Sequence, residues 1–182
     1  VVDDIRITKA ARLNSSLIPV SGSDDPYWAN RVALIQSSDS DSGDTINVSS
    51  GAGTNPSVSN SGVTHSTTYK KFGTSSLQVG SNDYMDVTLG ATLTDWTFEC
   101  WYRQNGTNSG HNANGHIIGA ENFYLIYSTT NNKFYTYDGS SSGISDDVSS
   151  IIEDGNWHHI AYTMSASSGD KLYLDGTQLT MT

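Results

Sequence analysis

Residues 157–176 read WHHIAYTMSASSGDKLYLDG, and their side chains follow the period of a β-strand twice over. From Trp157 to Met164 the residues alternate, with His159, Ala161 and Thr163 on one face and His158, Ile160, Tyr162 and Met164 on the other. Ser165 to Asp170 is small and polar and ends in Gly169-Asp170. Glycine there accepts positive φ and aspartate bonds its own backbone, so the run reads as a turn. Lys171 to Asp175 alternates again, Leu172 and Leu174 opposite Tyr173, before Gly176 makes a second turn. The segment predicts an antiparallel hairpin.

The same period recurs upstream. Asp95 to Gln104 carries Trp96, Phe98, Cys100 and Tyr102 on one face and Thr97, Glu99, Trp101 and Arg103 on the other. A tryptophan on each face predicts a strand buried from both sides. Ile117-Ile118, Phe123 to Tyr127, Lys133 to Tyr137 and the short run Ile151-Ile152 follow, separated by Asn-Asn and Asp-Gly turn signals. Before residue 95, Phe72 to Val79 and Asp83 to Val87 read as a pair about a turn at 80–82, and Ile46 to Val48, Val58 and Val63 as short strands. Tyr27-Trp28 with Val32 to Ile35 reads as an apolar strand, and Val1 to Thr8 as another. Asn14 to Pro26 is a linker broken by Pro19, Gly22 and Pro26. Asn105 to Gly115 is a long polar loop.

Composition agrees with one all-β unit. A chain of 182 residues buries roughly 70% of its extended surface on folding, enough for a two-sheet core. The net charge of −10 comes from sixteen aspartates and three glutamates against nine scattered Lys and Arg, which disfavours nucleic-acid binding. No apolar run approaches the ~20 residues that span a bilayer as a helix. The lone Cys100, inside the Trp-rich strand, excludes an internal disulfide and reads as a buried, inert thiol.

WHHIA followed by KLYLDG resembles the core hairpin of laminin-G-like, concanavalin A-like jelly-roll domains. KFGTSSL (71–77) with Asp83-Tyr84, WTFECWY (96–102) and VDDIRITK (2–9) resemble further family segments. The resemblance implies a two-sheet antiparallel jelly-roll sandwich. In the family the VDDIRITK-like strand closes the fold and two more strands follow the Asp-Gly turn, so the chain reads as a phase-shifted slice. Residues 1–13 are then expected to be the closing strand of a preceding or neighbouring copy, 14–26 a linker, and 27–182 a jelly roll missing its C-terminal strands. A fragment of a longer chain, a circular permutation and strand donation between neighbouring copies all remain open, the first favoured.

The candidate metal site is a structural Ca²⁺, which takes six to eight oxygens. Asp3 or Asp4 would join a loop carrying Asp39, Asp41 and Asp44. The resemblance supports this, since related domains ligate an ion with the equivalent strand and loop. The bland alternative is an Asp-rich solvated loop. His158 and His159 are adjacent on one strand and so face apart, one expected packed and one exposed, with no zinc pair. Retaining glycosidases of this shape need two carboxyls about 5 Å apart, and Glu99 stands alone, so no catalysis is expected. The resemblance instead implies a structural or adhesive module of a phage fibre, or a carbohydrate-binding repeat of a secreted adhesin or filament. The setting would be a virion or extracellular surface, and the partner a cell-surface glycan. His111, Asn112, Tyr135, Tyr137 and Asp138 are the candidate ligand contacts, aromatics stacking on sugar rings and polar groups bonding hydroxyls.

Overall fold

The computed structural model describes residues 1–11, 25–37, 40–104 and 114–182. Among the described residues fifteen strands form two facing layers, with one α-helical turn, α1 (Ser149–Ile152), between strands. The larger layer runs β15 (Thr177–Gln178), β14 (Lys171–Leu174), β13 (His158–Met164), β8 (Trp96–Tyr102), β1 (Val2–Thr8), β2 (Arg31–Ile35) and β3 (Val48–Ser49), each antiparallel to its neighbour. β6 (Ser76–Gln78) joins it beside β1 and pairs in turn with β5 (Thr64–Ser66). The facing layer holds two separate pieces. One is β12 (Ser142–Ile144), β11 (Lys133–Tyr137), β10 (Phe123–Ser128) and β9 (Asn114–Ala120), and the other is β4 (Ser57–Ser61) paired with β7 (Tyr84–Thr88).

The hairpin at 157–176 forms as its alternation dictates. Ile160 pairs with Leu174 and Tyr162 with Leu172, and all four point into the core, while Ala161 and Tyr173 pack together on the opposite face. β8 lies between β13 and β1, and its Trp96, Phe98 and Cys100 face the second layer. Trp96 meets Phe123 across the sandwich at 4.9 Å between ring centroids and Tyr162 at 5.6 Å. Each such side chain, taken fully from water, contributes roughly 1.5–3 kcal/mol before its ordering entropy is charged.

The outer face of β8 is covered as well. Trp101 sits under the Phe72 ring at 5.9 Å and the Lys71 ammonium at 3.8 Å, with His159 alongside at 5.4 Å. That strap is pinned by Asp3, whose Oδ2 accepts the backbone N–H groups of Lys71 and Phe72 at 3.1 and 3.0 Å. Nearer the other end, Arg6 is buried between Asp25 and Glu99, donating to Asp25 Oδ2 at 2.5 Å and to Glu99 Oε1 at 2.5 Å.

Several expectations need correction. Tyr27-Trp28 is not strand, because Asp25 accepts the N–H of Tyr27 on its side chain and that of Trp28 on its carbonyl, curling residues 28–30 into a 3-10 turn. Residues 72–79 and 83–87 do not pair with each other. Asp83 accepts the N–H of Gly80, and the corner sends β6 to one layer and β7 to the other. Ile151-Ile152 is helical, with Asp147 accepting the Ser149 N–H at the start and Val148 and Ile152 on the core side. β12 carried no strand signal of its own. His158 and His159 face apart as expected, but both are buried. β1, expected to close another copy, lies here between β2 and β8 of the chain's own sheet.

Candidate aromatic binding face

The exposed face of the β9–β12 sheet gathers an aromatic row. On β10 and β11 the inward residues Leu125, Tyr127, Phe134 and Thr136 are sealed, so strand alternation leaves Tyr124, Tyr135 and Tyr137 half-buried on the outward side. Tyr124 and Tyr137 are directly paired across the strands and stacked, 5.6 Å between centroids with an interplanar angle of 27°. His116 of β9 meets Tyr124 edge-on at 6.1 Å. A one-residue bulge on β9, where Ile118 opposes Leu125 and His116 opposes Ile126, lets Ile117 and Ile118 both pack toward the core while His116 stays exposed. Tyr135 accepts a hydrogen bond from Asn131 Nδ2 at its hydroxyl, 2.9 Å. The face offers aromatic surface rimmed by hydroxyls, an amide and an imidazole.

Tyr135 and Tyr137 are thus brought onto one surface. Asp138 is not available there in the same way. Its carboxylate accepts the N–H groups of Ser140 and Ser141 at 2.8 and 2.7 Å and folds the β11–β12 turn. Bonds from the Ser141 and Ser140 backbone hold its pKa at about 2, below the ordinary 3.8. His111 and Asn112 lie outside the described residues. Tyr124 and His116 were not among the sequence picks, because their neighbour relation to Tyr137 depends on strand register, although the alternation of FYLIY already put Tyr124 opposite Leu125.

The acidic candidates go separate ways. Asp3 holds the strap at Lys71 and Phe72, Asp4 accepts from Gln36 Nε2 at 2.8 Å, and Asp41 accepts the N–H of Thr67 at 3.0 Å. Only the backbone carbonyl of Asp44 bonds to Asn60 in a described contact, and Asp39 lies outside the described residues. Among the described residues no three His, Cys, Asp or Glu side chains are placed to hold a metal ion.

Two arrangements bear on catalysis. Glu99 is fully buried, ion-paired with Arg6 and 3.6 Å from His159 Nε2. Ser37 Oγ lies 2.6 Å from His65 Nδ1, which has the look of a nucleophile and base, yet both are buried and Ser37 also bonds Ser75. His65 Nε2 contacts the Thr45 carbonyl at 3.0 Å, so that nitrogen carries the proton and Nδ1 accepts from the serine. Neither set lines the large groove described below.

The two-layer antiparallel arrangement defines a concanavalin A-like β-sandwich module. A family model described as the concanavalin A-like lectin/glucanases superfamily, of laminin G type, matches residues 79–180, and the chain belongs to that family. No curated protein and no solved structure matches the chain.

Proposed function

We propose that the module is a non-catalytic binder of carbohydrate, taking a sugar on the outward face of β9–β11. The observation that supports this most is the stacked pair Tyr124 and Tyr137, half-exposed on a rigid sheet, with His116 and the Tyr135 hydroxyl at its margins. Sugar rings present C–H faces that pack on aromatic surfaces and hydroxyls that bond polar groups at the rim. Side chains on paired strands are positioned without a large ordering cost on binding. The absence of catalysis is part of the proposal, and the engagement of Glu99 by Arg6 supports it. The resemblance of KFGTSSL, WHH and VDDIRITK to fibre-protein segments supports a virion or extracellular setting.

A glycan-array screen of the purified chain, followed by calorimetric titration of the strongest saccharide, tests the reading. Tyr124→Ala is expected to weaken binding about tenfold or more, near 1.4 kcal/mol. Array silence, or affinity unchanged in Tyr124→Ala, would count against it.

A further inference from the structure

The second layer is split. β7 pairs only with β4, and β9 only with β10, so among the described strands each leaves one edge unpaired. Between those edges runs a groove of about 1050 Å³. Its lining has a telling periodicity. β8 contributes every second residue, Phe98, Cys100 and Tyr102, and β1 contributes Val2, Ile5 and Ile7, in step with its bulge, so the groove's floor is the inner face of the large sheet. β7 and β9 instead contribute consecutive residues, 84–88 and 116–120, which is how a strand lines a space along its own edge. Core-facing residues beside the gap, Met85, Val87, Ile117 and Ile118, are only half-buried, whereas Phe98 and Cys100 on the floor are sealed. Val79 and Tyr84 at the same groove are 39% and 56% exposed.

We propose that this groove is an acceptor slot for one extended β-strand from outside these 182 residues, apolar at alternate positions and free of acidic side chains, pairing with β7 and β9 together. Two open edges offer rows of unpaired N–H and C=O groups, and an inserted strand satisfies both while its inward side chains cover the apolar floor. A strand of five to seven residues, matching β7 and β9, spans roughly 17–23 Å. The charge on the lining sets the chemistry of the occupant, because it includes Asp83 and Asp86 and no lysine or arginine. A second copy of this chain is disfavoured on two grounds. It carries a like charge of −10, and every strand among its described residues is already committed to its own sheets.

The test is a fluorescein-labelled nine-residue peptide alternating valine and threonine with lysine at each end, titrated into the intact chain by fluorescence anisotropy. The same peptide with prolines replacing its central valines serves as control. Hydrogen exchange is followed in parallel at 84–88 and 116–120. The slot predicts saturable binding of the first peptide alone and at least about tenfold slower exchange at both edges, since pairing closes the amides to solvent. Equal binding of the proline peptide would overturn the proposal. So would edges already protected in a chain that sediments as a dimer, or unchanged exchange at saturating peptide. None of these readouts involves saccharide, so failure here and failure of the carbohydrate reading are separate results.

Discussion

Asp4 takes a backbone φ of +49°, and with Ile5 it faces Cys100 alone across the β1–β8 ladder. This bulge resets the alternation of β1, so that Asp3 and Arg6, three apart, share the outer face while Ile5 and Ile7 point inward. Strict period-two reading could not assign the parity of VDDIRIT, because one inserted residue inverts everything after it. Asp4→Gly should leave stability close to wild type, whereas Asp4→Val, branched at a left-handed position, should cost about 1–2 kcal/mol in urea unfolding. Equal midpoints for the two variants would contradict a bulge there. Arg6 is the second diagnostic residue. Arg6→Met removes the guanidinium that neutralises the buried acids Glu99 and Asp25, and a loss of about 3–5 kcal/mol is expected. A loss under about 1 kcal/mol, as for an exposed pair, would show that the trio is solvated. Cys100 was legible from sequence as an inert thiol. It is fully buried, and burial, reinforced by the charge of neighbouring Glu99, pushes its pKa up. Ellman's reagent should label it only in denaturant, and fast labelling of the native chain would mean that the core beneath the groove opens.

Among elements, the turn after α1 and the β14–β15 turn are joined through one imidazole. His158 Nδ1 lies 2.7 Å from Asp175 Oδ2 and Nε2 lies 2.9 Å from Asp154 Oδ1, so each ring nitrogen faces a carboxylate, an arrangement that favours the doubly protonated, cationic ring. Burial works to lower the His158 pKa, but the two carboxylates outweigh it and the net shift is upward from 6.5. Asp154 moves the other way, to about 2, chiefly through its bond from His158. The signs follow from linkage. The histidine's contribution is fully present below its unfolded pKa of about 6.5 and is lost as pH rises through the higher folded value. The aspartate's contribution is present above its ordinary pKa and lost as pH falls toward 2. The stability difference between wild type and His158→Gln should therefore be largest from about pH 4.5 to 6 and shrink above pH 8. A difference that is flat across this range would show that the bridge carries no charge. Sequence placed the two histidines on opposite faces. It could not show that both are covered, since His159 packs beside Trp101 of the neighbouring strand and His158 is held by the turns at 154 and 175.

For the whole molecule, the two-layer sandwich was readable because β8, β13 and β14 keep an uninterrupted period of two and the turns carry Gly and Asp where positive φ falls, as at Gly169, Asp175 and Gly176. The binding face was half readable. KFYTY presents Tyr135 and Tyr137 to one side by alternation alone, but their union with Tyr124 and His116 comes from the β9–β10–β11 register, and the split beside β9 from non-local pairing. Asp138, attractive as an acid beside two tyrosines, is instead committed to its own turn. The face and the slot also adjoin, since His116 and Tyr124 line the groove. The most direct test of the carbohydrate-binding account is chemical-shift mapping of the ¹⁵N-labelled chain titrated with the strongest saccharide from the array. Perturbations concentrated at Tyr124, Tyr135, Tyr137 and His116, and abolished in a Tyr137→Ala variant whose Tm stays within about 2 °C of wild type, are predicted. Perturbations confined to other surfaces, or none at millimolar saccharide, would contradict it.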